Sequence, residues 1–123
     1  MTGRLRDALA AIEGVVESES AFQDGLAYWV NGKEIAHFED RAIDIRLTRG
    51  EIRQRREHLK ADPRVQLRRS GSDWLEVMIT SPEDDELVIE LVRAAAAAHR
   101  PPPGTLAAPP PTGADLARRR RFH

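Results

Sequence analysis

The chain has no cysteine, one tyrosine and three phenylalanines among its 123 residues. Without thiols there is no disulfide framework, no thiolate nucleophile and no cysteine-ligated zinc. Aromatic residues make up only 5% of the chain, which leaves little material for stacking the bases of a single strand. The opening residues, Met-Thr-Gly-Arg-Leu-Arg-Asp-Ala-Leu, lack the uninterrupted apolar core of a signal peptide. No window approaches the roughly 18 apolar residues of a membrane span. Phosphate-cradling glycine loops, nucleophile elbows and paired-carboxylate motifs are also missing. The expectation is a cytoplasmic protein with one folded domain and no membrane partner.

Charge is nearly balanced overall, at −1, but unevenly spread. Residues 1–40 carry three basic and eight acidic side chains, whereas residues 41–69 carry ten basic and four acidic ones. Arg118, Arg119, Arg120 and Arg121 make a second basic spot. Arg49, Arg53, Arg55, Arg56 and Lys60 are spread around much of a helix and diluted by Glu51 and Glu57. This falls short of the strongly basic face of a dedicated nucleic-acid binder, so nucleic acid is not the expected partner.

The organising stretch is residues 26–48. Asn31-Gly32 between two alternating runs predicts a β-hairpin, because a type I′ turn needs φ > 0 at both central residues. A second reversal at Asp40-Arg41 makes a three-stranded meander. With two-residue loops, Val30 faces Lys33, Tyr28 faces Ile35 and His37 faces Asp44. Strict alternation then puts Trp29, Ala36, Phe38, Ile43, Ile45 and Leu47 on a core face. The other face receives Tyr28, Ile35, His37, Glu39, Asp44 and Arg46.

Upstream, Leu5, Ala8, Leu9 and Ile12 recur at helical spacing up to Gly14, and residues 15–20 form a short strand. Downstream, Thr48 and Glu51 fit a capping box for a helix reaching Ala61, which Asp62-Pro63 ends. Residues 64–69 and 73–80 form a hairpin around Ser70-Gly71-Ser72. Ser81, Pro82 and the following carboxylates start a last helix. Leu87, Val88, Leu91, Val92, Ala95 and Ala96 give that helix a wide apolar stripe. The fold class is therefore α+β, in the order αββββαββα. One antiparallel sheet of five to six strands, meander plus hairpin, carries helices packed on one face. The domain spans residues 1–100. Residues 101–123, with two proline triplets and no periodicity, are expected to be a disordered, Pro-rich tail ending in a basic peptide.

Gly32-Lys-Glu-Ile-Ala-His37, Asp44-Ile-Arg-Leu-Thr48, Asp62-Pro-Arg-Val65 and Ser72-Asp-Trp74 together resemble the small bacterial proteins labelled luciferase family or luciferase domain-containing. The similarity covers roughly residues 10–98. In that family the first segment usually reads Glu-[Ile/Leu]-[Ala/Gly]-His-x-His, and this chain has Glu39 at the second histidine position. The resemblance implies the fold and a candidate face. It implies no particular reaction, because the activity of the family is uncharacterised.

His37 opposite Asp44 is the pair in which a carboxylate fixes an imidazole tautomer and raises its basicity. Arg46, on the same face, suits bidentate capture of a carboxylate or phosphate. Tyr28 and Glu39 complete the candidate ligand-binding set. His37, Glu39 and Asp44 also form a mixed nitrogen and oxygen donor set. No second histidine is near in sequence, so no metal site is assigned. Nothing identifies a cofactor. The leading expectation is a module binding a small anionic ligand or a partner through the His37/Asp44/Arg46 cluster. Alternatives are a small enzyme using His37 and Asp44 for acid–base or oxidative chemistry, a scaffold recruiting a protein partner through its tail, and a weak DNA binder.

Overall fold

In a computed structural model of the chain, residues 3–69 and 71–122 are described. Ser70, in the expected hairpin turn, and His123, at the tip of the tail, lie outside the described residues. The elements run α1 (Gly3–Ala10), β1 (Val16–Glu19), β2 (Leu26–Val30), β3 (Lys33–Glu39) and β4 (Ala42–Arg46). They continue with α2 (Arg49–Gln54), α3 (Arg56–Ala61), β5 (Val65–Leu67), β6 (Trp74–Met78), α4 (Asp85–His99) and α5 (Gly113–Arg121). The fold is α+β, and its single six-stranded sheet has the order β1-β2-β3-β4-β6-β5. Every pairing is antiparallel. The β5–β6 hairpin folds back so that β6 lies beside β4, which puts β4 in the interior of the sheet.

One sheet face builds the main core. Leu5, Leu9 and Ile12 from the first helical segment and Val88, Leu91, Val92, Ala95 and Ala96 from α4 pack on Ile43, Ile45, Leu75 and Val77. Burying a side chain of this size stabilises by about 1.5–3 kcal/mol, so the two stripes fix which way the sheet faces. The start of α4 is held by Asp84. Its carboxylate accepts from the Thr80 amide at 2.8 Å, the Ser81 amide at 3.1 Å and Arg64 Nη1 at 3.1 Å. No helix among the described residues is long and apolar enough to cross a membrane.

Three local expectations are corrected. The helix expected over residues 49–61 is broken at Arg55 (φ −101°, ψ 7°) into α2 and α3. The capping box at Thr48 is half made. Thr48 Oγ1 accepts from the Glu51 amide at 3.2 Å, but the Glu51 carboxylate turns to Arg55, and the Thr48 amide donates to the Asp73 carbonyl. Third, the segment expected as a disordered tail runs back along the sheet and ends in α5. The Ala108 amide donates to Asn31 Oδ1 at 2.8 Å. Leu116 is buried on Ala21, Ala27 and Trp29, on the face opposite the main core. Arg120 donates to the Ser20 carbonyl through Nε and Nη2. Buried Leu116 and Pro111, with hydrogen bonds to Asn31 Oδ1 and the Ser20 carbonyl, supply the anchorage that composition by itself did not reveal.

Candidate functional site

The meander forms as expected at its turn and departs from expectation one residue later. Asn31 and Gly32 both have positive φ (51° and 75°) and Val30 pairs with Lys33. Trp29 then pairs with Glu34, while Tyr28 pairs with Ala36, so Ile35 is an extra residue on β3. A β-bulge of this kind shifts the alternation of everything beyond it. Tyr28 and Ile35, expected beside His37, are instead buried in the main core. Trp29, expected in that core, lies on the opposite face. The bulge also places Glu34 and His37, three residues apart, on one face. Glu34 was absent from the expected site. The step polar-apolar-apolar-polar at Glu34-Ile35-Ala36-His37 is the signal for it, since strict alternation would bury a polar side chain in the core.

Beyond the bulge the expected register holds. His37 pairs with Asp44 across β3 and β4. His37 Nδ1 lies 2.9 Å from Glu34 Oε2, and Nε2 lies 3.0 Å from Asp44 Oδ2. Each carboxylate is itself held. Glu34 accepts from Ser20 Oγ at 2.6 Å and from the Ala21 amide at 2.7 Å. Asp44 Oδ1 accepts from Arg68 Nη2 at 2.9 Å. His37, Asp44 and Glu34 are 4%, 4% and 2% exposed. The imidazole sits between Phe22 and Trp74, with ring centroids 5.5 Å and 5.4 Å away.

Burial disfavours the imidazolium and is the largest single influence on His37. The hydrogen bond and charge of Glu34, then those of Asp44, together outweigh it, and the pKa is raised above the ordinary histidine value. With a carboxylate at each nitrogen, both nitrogens act as donors. No free lone pair is left for general-base work while both contacts stand.

The other expected residues fall around this centre. Glu39 Oε1 is 3.9 Å from His37 Nε2, and its side chain is half exposed. Repulsion from Asp44 raises the Glu39 carboxyl above its usual range. Arg46 is on the same face but does not touch the pair. Its guanidinium lies 5.9 Å from the Trp74 ring centroid and 4.0 Å from Asp73. Tyr28 is on the other side of the sheet, packed edge-on against Phe38, and burial pushes its phenol up.

A hollow of about 210 Å³ opens between α2 and the β5–β6 turn. It is lined by Arg49, Arg53, Arg56, Arg68 and Arg69 over Ile52, Leu67 and Trp74, with no acidic side chain among the described residues of its wall. Of the five basic residues expected around this segment, Arg49 and Arg53 of α2 and Arg56 of α3 line the hollow, and Arg55 and Lys60 do not. Arg55 points away, to Glu51 and Glu90. The guanidiniums of Arg49, Arg53, Arg56 and Arg69 have no ion-pair partner among the described residues. Only Arg68 is fixed, by Asp44. Arg68 and Arg69 lie outside the expected site because their position depends on β6 lying beside β4.

Comparison with family models, with curated proteins and with solved structures finds no match to this chain.

Proposed function

We propose that the protein is a binding module for a small oxyanion, taken up in the arginine-lined hollow. The observation that carries this reading is that five arginines, four of them without an ion-pair partner among the described residues, line one small hollow whose described wall holds no acidic residue. Like charges gathered without counter-charge repel one another, and a bound anion reverses that cost. Arginine presents planar, forked donors that match carboxylate and phosphate oxygens. A volume of about 210 Å³ is below that of drug-sized ligand pockets, about 300–1,000 Å³, and suits an oxyanion of phosphate or pyrophosphate size.

The buried centre has a supporting part in this reading. Ser20 and Ala21 hold Glu34, Glu34 holds His37, His37 holds Asp44, and Asp44 holds Arg68 at the hollow's rim. His37 and Asp44 are then positioning residues. The luciferase-domain resemblance remains part of the same proposal and adds no reaction to it. No observation favours the enzyme alternative, since the imidazole has both nitrogens engaged.

Isothermal titration of the full chain with inorganic phosphate and pyrophosphate at low ionic strength tests the reading. One saturable site is expected. Each of Arg53→Ala and Arg69→Ala should weaken it about 10- to 100-fold, the worth of one charge-assisted hydrogen bond. Equal affinity in wild type and the Arg53→Ala/Arg69→Ala double variant would remove the hollow from consideration.

A further inference from the structure

We infer that the His37 end of the sheet is a divalent metal site, distinct from the arginine hollow, with His37 Nε2, Asp44 Oδ2 and Glu39 Oε1 as its protein ligands. One donor atom from each of these residues can be chosen so that all lie within 4.8 Å of one another. Nε2 is 3.0 Å from Asp44 Oδ2 and 3.9 Å from Glu39 Oε1. Donors bound at about 2.0–2.2 Å to one ion stand roughly 3 Å apart, so the Asp44 carboxylate has to swing off the Nε2 hydrogen-bond axis and the half-exposed Glu39 side chain has to move inward.

Two features outside the ligand set support the assignment. The first is the far side of the imidazole. A metal-bound histidine characteristically donates its other N–H to a carboxylate, which fixes the tautomer and the ring plane. Glu34 occupies that position at 2.9 Å from Nδ1, and its own oxygens are committed to Ser20 and Ala21. Nε2 is thereby aimed between Asp44 and Glu39. The second is the charge on the sheet face. Glu76 of β6 pairs directly with Asp44 of β4, and both it and Asp44 act on Glu39. Like charges opposite one another across strands destabilise a sheet, and Arg68 neutralises Asp44 only through Oδ1. A cation between Oδ2, Glu39 and Nε2 offsets the remainder.

One imidazole with two carboxylates, and no thiolate, suits a first-row divalent transition ion better than magnesium or calcium. Binding replaces the proton on Nε2, which passes to solvent, and leaves the Nδ1 proton on Glu34. Glu39 is at the exposed rim, so the open coordination positions face water.

The experiment is titration of the chelator-treated full chain with cobalt(II) and zinc(II), read by calorimetry and by the visible cobalt spectrum. One ion per chain is expected, with nitrogen and oxygen ligation. Glu39→Gln, at an exposed side chain whose loss spares the fold, should weaken binding at least about tenfold, and Glu34→Gln about 10- to 100-fold through the ring. Arg53→Ala should leave metal affinity unchanged, which separates this site from the anion hollow. Absence of saturable binding would overturn the inference. So would binding that Glu39→Gln and Asp44→Asn leave intact, or magnesium bound as tightly as cobalt.

Discussion

Replacing His37 with leucine is the sharpest test of the buried centre. Leucine fills much of the space between Phe22 and Trp74, so the loss is mainly electrostatic. The variant removes a charge-assisted contact at 2.9 Å to Glu34 and another at 3.0 Å to Asp44. Each such bond contributes about 1.5–3 kcal/mol, and breaking a buried ion pair from one side costs about 3–5 kcal/mol. Glu34 keeps Ser20 and Ala21, and Asp44 keeps Arg68, so the lower part of the range, about 3–4 kcal/mol, is expected. At roughly 4 °C per kcal/mol for a domain of this size, the melting temperature should fall by about 12–16 °C. The assay is urea unfolding near pH 6 with chelator present, beside Glu90→Ala as a control. The Glu90 side chain is exposed and 3.9 Å from Arg55, and its loss should stay within about 0.5 kcal/mol. Adding Glu34→Gln to His37→Leu removes one of the stranded charges and should recover about 1–2 kcal/mol. A His37→Leu cost below about 1 kcal/mol, with no recovery in the double variant, would mean that the two carboxylates are solvated, and the argument for an ordered centre would fall.

Three further outcomes are expected. Asp84 has its pKa lowered, first by the Thr80 amide and, against the cost of burial, by Arg64 and the Ser81 amide. Its contribution is fully present above its unfolded value of about 3.9 and lost as pH falls through the lower folded value. An acid-unfolding curve of Asp84→Asn should therefore approach the wild-type curve below pH ~4 and lie beneath it above that; parallel curves throughout would refute the assignment. Gly32→Ala adds a methyl group at φ +75°, 3.2 Å from Ala108 Cβ. It should cost at least about 1 kcal/mol by thermal melting, and a neutral result would contradict the turn geometry. Leu116→Ala removes the one buried side chain of α5 and should cost about 2 kcal/mol locally. In a Trp74→Phe background it should red-shift Trp29 emission, and an unchanged spectrum would mean that α5 does not cover Trp29.

Most elements and most of the pairing are legible in the residues alone, the break at Arg55 and α5 excepted. Helical spacing in Leu5, Leu9 and Ile12 and in the α4 stripe fixed two core helices, because a period of 3.6 residues collects apolar side chains on one side. Asn31-Gly32 fixed the first hairpin, and His37 opposite Asp44 followed by counting from the second reversal at Asp40-Arg41. Counting failed at Ile35. A bulge changes the phase of a strand without altering its composition, and whether an extra residue is absorbed depends on what the facing strand and the core accept. That one residue moved Tyr28 into the core, brought Trp29 to the other face and made Glu34 the second partner of His37. The arginine hollow was decided later still. Arg49, Arg53 and Arg56 were visible as basic residues on a helix, but Arg68 and Arg69 meet them only because β6 pairs with β4, a contact between segments about thirty residues apart. Local preferences act over a few residues, whereas sites assembled across strands depend on which distant surfaces bury each other best.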